Sequence, residues 1–177
     1  MIILMGVAGA GKSMQGKLFA DELGYQWLST GEIFRALANS GEREELRTGK
    51  LVGDDEVIDI VDKALVGLDL SKEVILDGYP RTIKQAEWLL TQVADGRLSL
   101  TAIFNLVATR KVVKERLLAR GRNDDTDAVI DRRFQEYEQK TLPIINFLRD
   151  SDIKVEDIDA DQTPKQVHDA LLGHIKK

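Results

Sequence analysis

The stretch Gly6-Val7-Ala8-Gly9-Ala10-Gly11-Lys12-Ser13 decides the fold, because it joins an apolar run, Met1–Met5, to a segment with helical periodicity. It matches the pattern G-x-x-x-x-G-K-[ST] at every fixed position. Glycines there let backbone N–H groups turn inward and approach phosphate oxygens, and the following helix points its positive end at the same anion. The sequence therefore predicts a strand, a phosphate-binding loop and a helix in direct succession.

This loop indicates a nucleotide-binding protein but leaves the reaction open. Motors, switches, transporters and kinases all use such a loop. Its two polar side chains have expected tasks: Lys12 reaches the outer phosphates, and the Ser13 hydroxyl helps to hold Mg²⁺. The rest of the chain has to decide between these classes.

Outward from the loop, strand and helix signals alternate to the end of the chain. After the first strand, apolar runs predict further strands at Tyr25–Leu28, Glu73–Leu76, Leu100–Val107 and Lys154–Ile158. Apolar spacing predicts helices at Lys12–Leu23, Ile83–Val93, Arg110–Ala119, Thr126–Arg149 and Pro164–Ile175, and in pieces between Thr30 and Leu68. Gly24 is expected to stop the first helix, and Pro143 to bend or divide the fourth. The alternation predicts an α/β fold, a parallel sheet with helices on both faces.

The composition excludes several other classes of function. The 177 residues contain no cysteine, which excludes disulfides, thiolate catalysis and cysteine-ligated zinc. The net charge of −5 does not favour a nucleic-acid partner. No apolar run reaches the roughly 18 residues of a membrane span, and the short apolar start lacks a basic leader. We therefore expect a single cytoplasmic domain that acts as a monomer.

Four further segments, taken together and in order, resemble the adenylate kinases, a family of nucleoside monophosphate kinases. They are Ser29–Arg35, Gly49–Val52, Leu76–Thr82 followed by Gln85-Ala86, and Arg116–Arg120 followed by Arg122, Asp124, Asp125 and Arg133. The resemblance runs from Met1 to about Phe147. It implies a P-loop NTPase three-layer fold with five parallel strands, in which residues 1–177 form one kinase domain. It also implies a monophosphate-binding insertion at about 30–52 and a very short lid at about 120–124.

The resemblance implies an activity and a set of site residues. The activity is Mg²⁺-dependent transfer of a phosphoryl group from ATP to AMP, giving two ADP. ATP is expected to contact Gly9, Ala10, Gly11, Lys12, Ser13, Met14, Arg120 and Gln162. AMP is expected to contact Thr30, Arg35, Lys50, Leu51, Val52, Gly78, Tyr79, Pro80, Arg81, Gln85, Arg122 and Arg133. The expected catalytic residues are Lys12, Arg81, Arg120, Arg122 and Arg133, and the expected Mg²⁺ ligands are Ser13 and Asp77, with water in between.

The chemistry explains why so many arginines are needed. Two highly anionic ligands must meet end to end, and the protein has to position them and neutralise their charge. Planar guanidinium groups match phosphate oxygens better than ammonium groups do. The attacking group is the AMP phosphate itself, so no general base is expected.

Two residues, Thr30 and Gln85, indicate which monophosphate is the acceptor. Gln85 can offer a donor and an acceptor to the edge of an adenine. Thr30 agrees with the adenylate members of the family, whereas relatives specific for UMP and CMP tend to carry Ala there and Asn near position 85. The pair favours AMP, and a kinase for UMP, CMP or another small acceptor is the alternative.

The chain departs from the family at three places. Met14 stands where a second hydroxyl is usual, Gly53 replaces the usual Pro or Thr after Val52, and only Gly121 separates Arg120 from Arg122. A lid this short is expected to exclude less water, so that some ATP is hydrolysed. It also motivates an alternative of another class, a P-loop switch or adaptor with weak ATPase activity. His168 and His174, on the last helix, are expected to face solvent.

Overall fold

The computed structural model describes residues 1–40, 52–121 and 126–175. Five parallel strands form one sheet at the centre of the protein. They are β1 (Ile2–Gly6), β2 (Gln26–Ser29), β3 (Val74–Asp77), β4 (Ala102–Val107) and β5 (Val155–Asp159). Their order across the sheet is β2-β3-β1-β4-β5, and each neighbouring pair is parallel. The predicted five-stranded parallel α/β fold is confirmed.

Each strand is followed along the chain by at least one helix, as the sequence predicted. The helices are α1 (Lys12–Leu23), α2 (Thr30–Ser40), α3 (Asp54–Val66), α4 (Ile83–Ala94), α5 (Arg110–Arg120), α6 (Asp127–Glu136), α7 (Leu142–Asp150) and α8 (Pro164–Ile175). Gly24 ends α1 in the left-handed conformation, with its N–H bonded to the carbonyl of Ala20. Within the described part of the chain, no helix is long and apolar enough to cross a bilayer.

The predicted long helix over Thr126–Arg149 is divided. A π-helical turn, Tyr137–Thr141, separates α6 from α7, and Pro143 lies in the first turn of α7. Proline has no N–H to donate to the carbonyl four residues earlier, so the regular α-helical pattern cannot run through this point. Of the two outcomes expected from Pro143, a bend or a division of the helix, the structure shows the division.

The core lies on both faces of the sheet because side chains of a strand alternate between the faces. Ile3 and Met5 of β1 pack on one side against a layer that includes α3, α4 and α7. Ile2 and Leu4 pack on the other side against α1, α5 and α8. Each aliphatic side chain buried to this degree contributes about 1.5–3 kcal/mol to folding.

The position of β1 determines where a ligand can bind. β1 pairs with β3 on one side and with β4 on the other. The chain leaves β1 toward β2 at one edge of the sheet, and it leaves the neighbouring β3 in the opposite direction, toward β4. In open parallel sheets, a crevice forms beyond the carboxyl ends of the strands at such a point. The phosphate loop follows β1, and Asp77 is the last residue of β3, so both lie at this crevice.

Candidate nucleotide-binding cleft

A cleft of about 850 Å³ opens at the carboxyl edge of the sheet. Its described lining forms two walls. The first comprises the loop and start of α1 over 8–15, Lys17, and Arg116, Leu117, Ala119, Arg133, Pro164 and Val167. The second comprises Ser29, Gly31, Glu32, Arg35, Asp77, Gly78 and Arg81. The cleft thus brings the phosphate loop and three of the predicted acceptor-site arginines, Arg35, Arg81 and Arg133, into one space.

Glycines hold the phosphate loop in a shape that other residues rarely adopt. Gly6, Gly9 and Gly11 have φ values of 129°, 95° and 108°, in the region that L-residues avoid. A Cβ on Gly9 would lie 3.0 Å from side-chain carbons of Val113 and Leu117. The loop is therefore packed closely on α5, and its glycines are needed for both its conformation and its packing.

The side chain of Lys12 folds back onto its own loop. Its Nζ donates to the carbonyls of Gly6 at 2.7 Å and Val7 at 3.0 Å. Burial lowers the pKa of this ammonium group to about 8, with Asp77 opposing the shift and Arg81 adding to it. When a phosphate binds, Lys12 Nζ would exchange these two neutral carbonyl partners for anionic phosphate oxygens, which stabilise the charged form of the amine.

Ser13 and Asp77 meet beside this lysine. The Ser13 hydroxyl donates to Asp77 Oδ2 at 2.6 Å, and Asp77 is buried. A carboxylate and a hydroxyl next to a phosphate loop are hard oxygen donors, the kind Mg²⁺ prefers when substrate phosphates supply its other ligands. The pair fits the predicted role in holding Mg²⁺.

The turn after β3 shapes the opposite wall. Thr30 Oγ1 donates to the carbonyl of Gly78 at 2.9 Å, and Arg81 Nε donates to the same carbonyl at 2.7 Å. Gly78 has φ +80°, and a Cβ there would lie 2.9 Å from Thr30 Oγ1 and 3.0 Å from Arg81 Nη2. Only glycine fits this position without displacing Thr30 and Arg81.

The two arginines of this wall differ in their surroundings. Desolvation within the cleft lowers the pKa of the Arg81 guanidinium, although the residue stays partly open to solvent and the carboxylates of Asp77 and Glu136 oppose the shift. Arg35 is half exposed and pairs with Glu32 at 2.7 Å, one helical turn away on α2. A phosphate between the two arginines would stabilise the charge on Arg81 and compete with Glu32 for Arg35.

Other predicted acceptor-site residues lie behind this wall rather than on it. The Tyr79–Pro80 bond is cis, and the Tyr79 ring is buried edge-on against Trp88. Gln85 is also buried, and its Oε1 accepts from the N–H of Arg81 at 2.8 Å. Among the described residues, Thr30, Val52, Tyr79, Pro80 and Gln85 are not part of the cleft lining, so their predicted contacts with AMP stay predictions.

On the donor side, Met14 is about half exposed and lines the cleft. Arg133, which was predicted to contact AMP, also lines the cleft. The side chain of Gln162 donates to Asp159 at 2.9 Å. Arg120 is the last residue of α5. Lys50, Leu51 and Arg122 lie outside the described residues, as do most of the predicted lid and part of the predicted insertion.

Arg116 also lines the cleft, although its sequence context did not predict a contact with either nucleotide. Its guanidinium donates to the carbonyl of Gln162 at 2.9 Å and lies 3.4 Å from that of Ala10. It therefore joins the phosphate loop to the loop before α8. Its position four residues before Arg120, on the same helical face, is a signal that could have found it.

The expectation for His168 is wrong. Its ring is buried against Phe19, with Nδ1 3.0 Å from Gln15 Oε1, and Gln15 in turn donates to the carbonyl of Pro164 at 2.9 Å. Val167 and Leu171 are buried on the same face of α8, which carries His168 inward with them. The histidine therefore helps to attach α8 to the helix that follows the phosphate loop.

Comparisons with known proteins agree with this geometry. Residues 4–153 match the model of the family described as adenylate kinase. The adenylate kinase of Corynebacterium urealyticum is 35% identical over 182 residues, covering 99% of each chain. Those of Corynebacterium aurimucosum and Mycobacterium tuberculosis are also 35% identical, covering 99% of this chain and 98% and 99% of their own. A phosphate loop facing a second arginine-bearing wall, and similarity over nearly the whole chain, show that the protein belongs to the adenylate kinase family.

Proposed function

We propose that the protein catalyses the reversible transfer of the γ-phosphoryl group of ATP to AMP, giving two ADP. The observation that carries this proposal is the pairing of two walls in one cleft. Lys12 and its loop form one wall, and Arg35 and Arg81 lie on the other. A protein that only binds or hydrolyses one nucleotide has no use for a second phosphate site.

On the donor wall, the loop would bind the ATP phosphates. The backbone N–H groups of Gly9, Ala10 and Gly11 and the N-terminus of α1 would supply an anion-binding surface. The Lys12 ammonium group would leave its carbonyl partners and bind the outer phosphates. Met14, Arg116, Arg120 and the backbone at Gln162 would complete the donor site. Arg116 supports this assignment because it already joins the loop to Gln162.

On the acceptor wall, Arg81 and Arg35 would hold the AMP phosphate in line with the γ-phosphoryl group. This positioning is the main catalytic contribution, since the AMP phosphate attacks directly and needs no base. Thr30 and Gly78 shape this wall. Lys50, Leu51, Val52, Tyr79, Pro80 and Gln85 would form the rest of the monophosphate site, within an insertion at about 30–52 and the turn after β3.

The charge that develops during transfer has to be neutralised. Arg120, Arg122 and Arg133 would close over the transferring group from a lid at about 120–124 and from α6, and Arg133 supports this by lining the cleft. Ser13 and Asp77 would hold Mg²⁺ through water. Mg²⁺ held there would neutralise part of the charge on the transferring phosphates.

Phosphorylation of UMP or CMP, and a switch that acts through a partner, are the alternatives. The curated relatives with high coverage carry the name adenylate kinase and do not favour either alternative.

The test is the formation of ADP from ATP and AMP by the purified protein. Lys12→Met and Arg81→Ala should each lower kcat/KM at least a hundredfold, because each removes a cation from one wall. The matched controls are Lys63→Met and Arg97→Ala, whose cations form surface ion pairs with Asp59 and Asp62; both should keep normal activity. Unchanged transfer by Arg81→Ala would contradict the placement of the AMP phosphate.

A further inference from the structure

The side-chain amide of Gln85 is held at both ends by groups of fixed hydrogen-bonding type. Its Nε2 donates to Asp54 Oδ1 at 2.8 Å, and its Oε1 accepts from the backbone N–H of Arg81 at 2.8 Å. The side chain is 3% exposed. It therefore cannot exchange these partners freely with water.

The two bonds determine which end of the amide is nitrogen. A backbone N–H only donates, and an ionised carboxylate only accepts. If the amide turned over, Nε2 would face the N–H of Arg81 and Oε1 would face the carboxylate of Asp54, so that two repulsive pairs would replace two hydrogen bonds. Because the contribution of Arg81 comes from its backbone, Asp54 is the side chain through which the sequence sets this orientation.

Asp54 is itself held in place. It is the first residue of α3, and the same Oδ1 accepts from Thr82 Oγ1 at 2.9 Å. The Thr82 hydroxyl also accepts from the backbone N–H of Gln85 at 3.2 Å, where it caps α4. Asp54, Thr82 and Gln85 thus form a closed ring of hydrogen bonds at the contact between α3 and α4.

What remains of the amide is one N–H and one oxygen lone pair, since an amide has two of each. A base that pairs with both must present an acceptor to Nε2 and a donor to Oε1. Adenine does so with a ring nitrogen and the neighbouring amino group. Hypoxanthine, which has the same size and shape, presents the reverse pattern, a ring N–H beside a carbonyl oxygen.

We propose that Asp54 is a positioning residue that determines base specificity. By fixing the amide of Gln85, it makes the acceptor site select monophosphates whose base carries an amino group beside an unprotonated ring nitrogen. Bases with the N–H and carbonyl pattern are rejected. The inference rests on the proposed function and adds to it a residue that acts on the base through Gln85.

The test compares AMP with inosine monophosphate, which differ only at this edge of the base. kcat/KM with ATP as the donor, and binding by titration calorimetry, are measured for both nucleotides with the unmodified protein, Asp54→Asn and Asp54→Ser. Either substitution supplies a group that can donate as well as accept, so the turned amide would face one repulsive pair, with the N–H of Arg81, instead of two. We expect the preference for AMP over inosine monophosphate to fall about tenfold, mainly through KM and Kd rather than kcat.

Asp55→Asn is the matched control. Asp55 carries the same charge in the same helical turn, but it is exposed and pairs with Lys84 at 2.6 Å. This variant should keep the preference of the unmodified protein, which separates base selection from any effect on the start of α3.

Two results would overturn the inference. One is an unchanged preference in Asp54→Asn and Asp54→Ser when urea unfolding shows both to be folded. The other is an equal loss for AMP and inosine monophosphate, since a merely structural role weakens both alike. Failure of the proposed function looks different: the unmodified protein would transfer phosphate to neither nucleotide.

Discussion

At the scale of single residues, the lowered pKa of Lys12 predicts that nucleotide binding changes the protonation of this side chain. Burial lowers the pKa of its ammonium group to about 8, so above this pH the empty protein holds the amine largely neutral. Bound phosphates favour the charged amine and raise its pKa. At pH 7 the amine is charged before and after binding, whereas at about pH 8.5 it gains a proton when the nucleotide binds.

We therefore expect ATP binding to take up about half to one proton at pH 8.5 and almost none at pH 7. Titration calorimetry in two buffers of different ionisation enthalpy measures this uptake. Lys12→Met should abolish it, and Lys17→Met, which alters another lysine of the cleft, should keep it. Equal uptake by the unmodified protein and Lys12→Met would show that another group takes up the proton.

The residue scale also shows what a sequence can and cannot predict. The phosphate loop was predictable because its chemistry lies within eight consecutive residues. Gln85 was assigned to a nucleotide from its type and place, but its bond to Asp54 joins residues 31 positions apart, and no local pattern reports such a contact. His168 was placed in solvent on residue type, although its spacing from Val167 and Leu171 on α8 would have placed it on the buried face.

At the scale of elements, the close approach of α1 to β2 holds the helix that follows the phosphate loop. Gly16 on α1 faces Trp27 on β2, and a Cβ at Gly16 would lie 2.4 Å from atoms of the Trp27 ring. The ring cannot move aside like the end of a flexible chain. Gly16→Ala should therefore lower the free energy of unfolding by about 1–3 kcal/mol and shift Trp27 fluorescence.

The matched control for this prediction is Gly173→Ala, another glycine within a helix, because a Cβ there meets open space. It should raise the free energy of unfolding by about 0.5–1 kcal/mol, since alanine loses less backbone entropy in a helix. Urea unfolding measures both variants. Equal effects of the two substitutions would mean that the contact between α1 and β2 is not tight.

The ends of elements were predicted to within a few residues where a local signal exists. Gly24 stops α1 as expected, and Pro164 begins α8. The π-helical turn before Leu142 was not predicted, because a proline signals only that the α-helix is interrupted and not how the chain continues. The sheet order was also beyond the local pattern, since it depends on pairing between distant segments.

At the scale of the whole molecule, a cleft with two walls predicts that two nucleotides bind at once. A non-hydrolysable ATP analogue at a hundred times its Kd should raise the free energy of unfolding by about 2.7 kcal/mol. AMP at a hundred times its own Kd should add about as much again when both are present, because the two ligands occupy different walls. Thermal or urea unfolding with each ligand and with both measures this.

Arg81→Ala provides the control for this experiment. It should lose most of the stabilisation by AMP and keep that by the ATP analogue. A switch with one nucleotide site would behave differently, since AMP and the analogue would compete and their effects would not add.

The central position of β1 has a consequence for the synthesis of the chain. β1 precedes both of its neighbours in sequence, with Ile2 paired to Ile75 on one side and to Ala102 on the other. During translation, β1 and the phosphate loop are thus made before β3 and β4, the strands that flank β1. The helix α8, which contacts α1 through His168, is made later still. A growing chain therefore cannot complete its nucleotide site before the segment through α8 has been translated.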